Sequence, residues 1–188
     1  MADFSRTILL PIDMQQGFDD PSRPKNWNTK VDANGLAILQ AWRGVKLPII
    51  HVQHNSVDAS SSFAPGNKGN QFRSGFEPKQ GEPLVGKSVN SAFIGTDLEI
   101  RLRRMDIARI VAFGITTDQC VSTTFRMGSN LGFEMLLVED ACNCWDTPDG
   151  KGGVIPARAI HEAHVATLGY EFGKVTTTQE LLKQLSSV

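Results

Sequence analysis

Apolar and polar positions fall in blocks along the chain. "TILLPID", Thr7 to Asp13, is a nearly continuous apolar run that ends in an acid, which predicts a short strand buried on both faces. In "NGLAILQAWRGV", Leu36, Leu39, Ala41 and Trp42 suit one face of a helix, and "KLPIIHVQH" follows as a second strand. The stretch from Asn55 to Glu82 is rich in Gly, Ser, Pro and Asn and has no period. A loop of that length inside a compact domain tends to be functional. "PLVGK" then reads as a brief extended run. "GTDLEIRLRRMDI" predicts a helix with a capping box formed by Thr96 and Glu99. "ARIVAFGI" is a clear buried strand, "TTDQCVSTTFRMGSNLG" a helix closing at Gly132, and "FEMLLVEDAC" a further strand. "IPARAIHEAHVATLG" carries Pro156 in the first turn of a helix that Gly169 ends. "YEFGKVTTTQELLKQL" adds a short strand and a last helix. Strands that alternate with helices predict an α/β fold: three layers, α/β/α, around a mostly parallel central sheet. No repeat, linker or composition shift divides it, so residues 1–188 read as a single domain.

Composition narrows the function classes. The apolar share of 40% and charged share of 21% are those of an ordinary globular chain, and a net charge of −1 provides no electrostatic footprint for nucleic acid or an anionic membrane. No apolar run approaches the ~20 residues of a membrane span. The opening "MADFSRTILLPIDM" lacks a basic region followed by a long apolar stretch, which predicts no signal peptide and a cytoplasmic location. Three cysteines are too few, and odd in number, for a disulfide framework.

"GEPLVGKS", Gly81 to Ser88, fits G-x-x-x-x-G-K-[ST], the phosphate-cradling loop of many nucleotide hydrolases. Such a loop needs a buried strand before it and a helix directly after it, so that backbone N–H groups converge on phosphate. Here "SGFEPKQ" precedes, and the apolar pair and proline of "EPLV" suit an extended segment. Nucleotide hydrolysis is therefore kept only as an alternative.

Ligands of an open parallel sheet bind beyond the carboxyl ends of its strands. Asp13, His54 and Lys87 end apolar runs, and Cys120 lies just past one. With Thr117 as N-cap, Cys120 falls near the third helical position, where the helix dipole favours a thiolate, and a nearby Lys87 ammonium would lower the thiol pKa further, well below ~8.5. Asp13 would take the thiol proton and pass it to a leaving group, while the N–H groups of Thr116 and the first turn hold an oxyanion. Each residue also has a plain reading: a packed cysteine, a turn aspartate, a solvated lysine.

Other candidates divide similarly. His161 and His164 in "HEAH" are three apart, not the four of a zinc-protease helix, and read as structural. His51 and His54 point to opposite faces of a strand, with His54 either lining a pocket or merely ending the strand. Cys142 and Cys144 in "DACNCWD" are one residue short of C-x-x-C and read as packed thiols. Gln119 faces substrate or the helix surface; Phe18, Trp27, Phe93 and Trp145 wall a pocket or pack the core; Arg73 pairs an anionic substrate group or is a solvated loop arginine.

Three blocks, "LLPIDMQQGF", "GKSVNSAFIGTDLEIRLR" and "IVAFGITTDQCVSTTFRMGSNLGFEMLLVEDAC", resemble in order the isochorismatase-like cysteine hydrolases, a superfamily that includes nicotinamidases and N-carbamoylsarcosine amidohydrolases. The resemblance runs from about Thr7 to the final helix. It implies a parallel sheet flanked by helices and a catalytic triad of Asp13, Lys87 and Cys120. It also implies a non-proline cis peptide at Ile115–Thr116 that aims the Thr116 N–H, with that of Cys120, into an oxyanion hole. A pocket for a small-molecule substrate would draw on Phe18, His54, Phe93 and Gln119, and a homo-oligomer, dimer or tetramer, is expected. Nicotinamidases hold a metal through Asp-x-His at the end of the second strand; here that strand ends "HVQHNS", so neither a metal nor any other cofactor is implied, nor nicotinamide as substrate. Members that cleave the vinyl ether isochorismate typically lack the cysteine. The presence of Cys120 implies hydrolysis of a small amide or related C–N bond through a thioester, with vinyl ether hydrolysis and a non-catalytic binding role as alternatives.

Overall fold

The computed structural model describes residues 3–20 and 27–187. Six strands, β1 (Thr7–Ile12), β2 (His51–His54), β3 (Leu84–Lys87), β4 (Arg109–Ile115), β5 (Glu134–Asn143) and β8 (Lys174–Thr176), form one parallel sheet in the order β3-β2-β1-β4-β5-β8. Two exposed strands, β6 (Thr147–Pro148) and β7 (Val154–Ile155), pair as a small antiparallel hairpin that periodicity does not predict, because two residues each are too short to show a period. Among the described residues five α-helices accompany the sheet: α1 (Val31–Gly44), α2 (Leu98–Arg104), α3 (Ser122–Asn130), α4 (Ala157–Thr167) and α5 (Thr178–Leu185). The right-handed crossover rule puts α1 on one face and α2, α3 and α4 on the other, and α5 returns to pack beside α1. Among the described residues no helix is long and apolar enough to cross a membrane.

β1 sits centrally, and every residue of it is buried, which accounts for its unbroken apolar run. Sequence order reverses between β1 and β4: the chain builds outward through β2 and β3 on one side, then through β5 and β8 on the other. This switch point leaves a crevice at the carboxyl edge, where loops diverge to opposite faces. Gly114, at the end of β4, carries φ +141°, and a Cβ there would lie 2.0 Å from the Ile12 carbonyl oxygen, so only glycine lets the two central strands meet at that edge. A register shift between Ala112 and Gly114 against β5 marks the same place.

Two local expectations are corrected. The capping box predicted at Thr96 and Glu99 is not formed: α2 begins at Leu98 behind Asp97, and the Thr96 hydroxyl donates to the Ala92 carbonyl instead. A complete capping box occurs at Thr177 and Glu180, at the start of α5. The helix expected across Thr116–Gly132 is two pieces, a wide π-helical turn Thr117–Val121 followed by α3. Its N-cap is Thr116, not Thr117; the backbone there is extended, and the Val121 N–H reaches the Thr116 carbonyl at 3.0 Å.

The long Asn55–Glu82 loop is built into the site edge. Gln15, fully buried, donates to the carbonyls of His54 and Asn70 and accepts the His54 N–H, which ties the exit of β1 to the exit of β2 and to the loop. The Arg73 N–H donates to the Met14 carbonyl. The Arg73 side chain is 5% exposed and clamped between Asp19 and Asp32, both at 2.6 Å. It is thus neither the substrate partner nor the solvated arginine expected from sequence; its charge is spent on fastening the loop.

Candidate active site

Strand register assembles the site. Ile12 lies opposite Gly114 on β4 and Val52 on β2, and His54 lies opposite Lys87 on β3. Asp13, one residue past β1, turns with φ +53°, an uncommon backbone state that Asp tolerates better than most residues. Its N–H is fixed to the Val52 carbonyl at 3.0 Å. The Ile115–Thr116 peptide bond, one step past β4, is cis.

Lys87 is 2% exposed and Asp13 0%, so their ion pair, Nζ to Oδ2 at 2.7 Å, is out of water. Lys87 Nζ also lies 3.3 Å from Cys120 Sγ, 3.1 Å from the Val89 carbonyl and 3.4 Å from His54 Nδ1. The ammonium therefore bridges the carboxylate and the sulfur. It is not free for phosphate: Lys87 ends a strand, and no helix begins until Leu98, so the phosphate-loop pattern has neither its loop nor its helix. The Cys120 thiol also faces Asn90 Oδ1 at 3.9 Å.

The thiol departs from its expected electrostatics. Burial pushes Cys120 up to about 12, the Asp13 carboxylate adds to the rise, and the Lys87 ammonium opposes it without prevailing. Burial raises Asp13 as well, against the pull of Lys87. The expectation of a resting thiolate well below ~8.5 is thus corrected: a sulfur withdrawn from water beside a carboxylate keeps its proton. Iodoacetamide labelling of Cys120 in the free protein is expected to be slower at neutral pH than that of an exposed thiol and to keep rising above pH ~9. Asp13→Asn, which leaves the ammonium alone beside the sulfur, should move that profile to lower pH. A labelling plateau below pH ~8 in the wild type would contradict this electrostatic account.

A cavity of about 240 Å³ opens over the sulfur. Its polar lining comes from Asp13, Asn90, Thr116, Asp118, Gln119, Cys120 and Thr147. Phe18, Phe63, Trp145 and His54 contribute aromatic rings to the lining. Phe18 packs at 4.6 Å from Phe63 and 5.4 Å from Trp145 between ring centroids. His54 is held below its usual pKa by burial and by Lys87, and so is neutral at pH 7.

Of the pocket residues expected from sequence, Phe18, His54 and Gln119 line this cavity. Phe93 does not: it stacks on Phe133 at 6.1 Å and covers Gly128 on α3. Phe63, Asn90, Asp118 and Thr147 join the lining without having stood out in the sequence. Phe63 carries one signal, as an aromatic inside the polar long loop. Trp27 packs its ring on His161, whose Nδ1 pairs with the Thr117 hydroxyl at 2.9 Å behind the Cys120 turn; His164 bonds the Ile160 carbonyl within its own helix. His51 binds Glu82 at 2.8 Å, away from the cavity. The β2 end thus presents one imidazole and the Gln53 amide, which donates to the Asn70 carbonyl. Cys142 and Cys144 are buried free thiols that donate to the Val138 and Ala157 carbonyls.

Fold and site together define a doubly wound parallel α/β protein with a buried carboxylate, ammonium and thiol at its switch point. The isochorismatase domain matches residues 7–180. The isochorismatase family protein YrdC of Bacillus subtilis is 38% identical over 177 residues, 94% of this chain and 95% of that protein. A solved hydrolase of the isochorismatase family from Chromobacterium violaceum superposes with a TM-score of 0.94 at 38% identity, covering 98% of this chain and 95% of its own. A cysteine hydrolase from Pseudomonas syringae does so with a TM-score of 0.90 at 27% identity, covering 99% and 95%. The ureidoacrylate amidohydrolase RutB of Variovorax paradoxus is 27% identical over 200 residues, 99% of this chain and 69% of that protein. The chain belongs to the isochorismatase family of hydrolases.

Proposed function

We propose that the protein hydrolyses a small amide or related C–N bond, with Cys120 as nucleophile, Asp13 as proton carrier and Lys87 as the cation that orients both. The observation that carries this reading is the contact set of Lys87, 2.7 Å from the Asp13 carboxylate and 3.3 Å from the Cys120 sulfur, under a cavity sized for a small molecule. The names of two relatives, an amidohydrolase and a cysteine hydrolase, favour C–N cleavage over vinyl ether hydrolysis.

The protonation states set the order of events. Because the resting thiol holds its proton, attack of sulfur on the carbonyl carbon is coupled to proton transfer from Sγ to Asp13. The negative charge that develops on the carbonyl oxygen is received by the N–H groups of Thr116 and Cys120. Protonated Asp13 then gives its proton to the leaving nitrogen, the C–N bond breaks, and an amine or ammonia departs from a thioester. Water attacks the thioester carbon while Asp13 accepts its proton; the C–S bond breaks, the carboxylic acid leaves, and the proton returns to sulfur. A carboxylate with a pKa raised by burial serves both directions, since it binds and releases a proton nearer neutrality than an exposed one.

A screen of small amides, ureides and lactams for ammonia or amine release, run beside vinyl ethers scored for carbonyl release, tests the reading. At least one member is expected to turn over without added metal or nucleotide. Turnover confined to vinyl ethers would overturn it.

A further inference from the structure

The buried positions of α4 are Ala157 and His161, one helical turn apart. An imidazole withdrawn from water costs free energy unless it is hydrogen-bonded. Here its Nδ1 meets the hydroxyl of Thr117, itself fully buried, at 2.9 Å. Burial holds His161 below its usual pKa, with Glu162 opposing and His164 adding to the fall, so the ring is neutral at pH 7. In either neutral tautomer Nδ1 can pair with a hydroxyl, by donating or by accepting. The Trp27 ring packs on the imidazole at 4.9 Å between centroids. The start of α4 is itself fastened to the chain that follows β5. Its Ala157 N–H donates to Asp146 Oδ1 at 2.8 Å, and its Ala157 carbonyl accepts from the Cys144 thiol at 3.2 Å. His161 therefore projects from an anchored helix onto the residue that opens the nucleophile turn.

That turn, Thr117–Val121, has no side-chain N-cap, and the N–H groups of Gln119 and Val121 both converge on the Thr116 carbonyl, at 3.3 and 3.0 Å. Two side-chain contacts tie it to other elements: Cys120 Sγ to Lys87 Nζ on β3 at 3.3 Å, and Thr117 to His161 on α4. The first involves the reacting sulfur and must change as sulfur bonds to carbon. The second does not, and stays in place throughout. Neither Thr117 nor His161 lines the cavity. We infer that His161 is a positioning residue: through Thr117 it sets the placement of the Cys120 sulfur and of the Thr116 and Cys120 N–H groups, without touching substrate. This deepens the C–N hydrolase reading and rests on it. A misplacement of about 1 Å in a reacting group costs on the order of 100-fold in rate, so one buried bond to the first residue of the turn is enough to govern kcat.

The test compares His161→Phe, His161→Asn, Thr117→Val and the double variant His161→Phe/Thr117→Val with wild type. Phenylalanine keeps a ring against Trp27 but cannot hydrogen-bond. Asparagine places an amide where Nδ1 stood and restores the bond. Thr117→Val deletes the hydroxyl with little change of shape. On an amide substrate kcat is expected to fall about 10- to 100-fold in His161→Phe and Thr117→Val, with KM within about threefold of wild type, and to recover to within about fivefold in His161→Asn. The double variant should lose no more than the worse single variant, because both substitutions remove the same bond. Iodoacetamide labelling of Cys120 at fixed pH needs no substrate, and it should be about tenfold faster in His161→Phe and Thr117→Val, since a loosened turn lets the sulfur into water. An unchanged kcat in Thr117→Val, a rise in KM alone, losses that add in the double variant, or a His161→Asn variant as impaired as His161→Phe overturns the assignment. Should wild type release nothing from any amide, the hydrolase reading fails separately and labelling decides the role of His161. Faster labelling that His161→Asn reverses would retain it; wild-type rates in Thr117→Val and His161→Phe would overturn it.

Discussion

Cys120→Ala is expected to lower kcat on any amide the protein hydrolyses by about 10⁴- to 10⁶-fold, the cost of removing a nucleophile that acts as a unit with its base and cation. Substrate affinity should change far less, because the other residues that line the cavity remain. Cys120 lies past the end of β4, outside the sheet, so the loss of one sulfur leaves the strands in place and the melting temperature close to wild type. Cys120→Ser tests the chemistry more narrowly. A hydroxyl holds its proton more tightly than a thiol, and Asp13 is placed for a thiol, so the serine variant is also expected to be severely impaired. A rate within tenfold of wild type for Cys120→Ala, measured as ammonia release on purified protein, contradicts the assigned nucleophile.

The largest stability effect is expected at Lys87. Lys87→Met strands the Asp13 carboxylate in a site with no solvent exposure. Breaking a buried pair by removing one partner costs ~3–5 kcal/mol, which for a chain of this length is a fall in Tm of about 6–20 °C. The double variant Asp13→Asn/Lys87→Met leaves no charge behind and should recover most of that loss. The pH dependence has a definite sign. Burial already raises Asp13 above its unfolded value, and loss of the ammonium raises it further. The folded Lys87→Met protein then holds a proton that the unfolded chain releases, so its stability is greatest below the unfolded pKa of ~3.9 and declines as pH rises toward the folded value. Thermal melts of the two variants between pH 4 and 8 check this. Equal Tm losses in single and double variants would contradict it.

The strands are legible in the sequence because burial on both faces writes an unbroken apolar run, and β1 and β4 are such runs. Parallel pairing then brings strand ends to one edge, which is why Asp13, His54, Lys87 and Cys120 group together without any distance in hand. What the sequence does not reveal depends on long-range partners. The role of Arg73 rests on Asp19 and Asp32, far away in the chain. Phe93 follows Lys87 closely, yet the chain turns it onto Phe133 and Gly128, while Phe63 arrives from the distant loop to take a place at the cavity. The width of the Thr117–Val121 turn is a backbone property without a side-chain signature. The protonation of the thiol is hidden for a different reason: helix position and a nearby lysine are visible in sequence, whereas the desolvation that outweighs them exists only in the folded site.

The central claim is that the C–N bond is cleaved by sulfur. Its most direct test is acid quench of the wild-type protein during turnover of an amide substrate, followed by mass spectrometry of the peptide that contains Cys120. The account predicts an acyl adduct on Cys120, formed with release of the amine, labile to hydroxylamine and absent from Cys120→Ala. Sustained turnover with an unmodified Cys120 peptide in the quenched wild-type samples, together with release by Cys120→Ala, would contradict it.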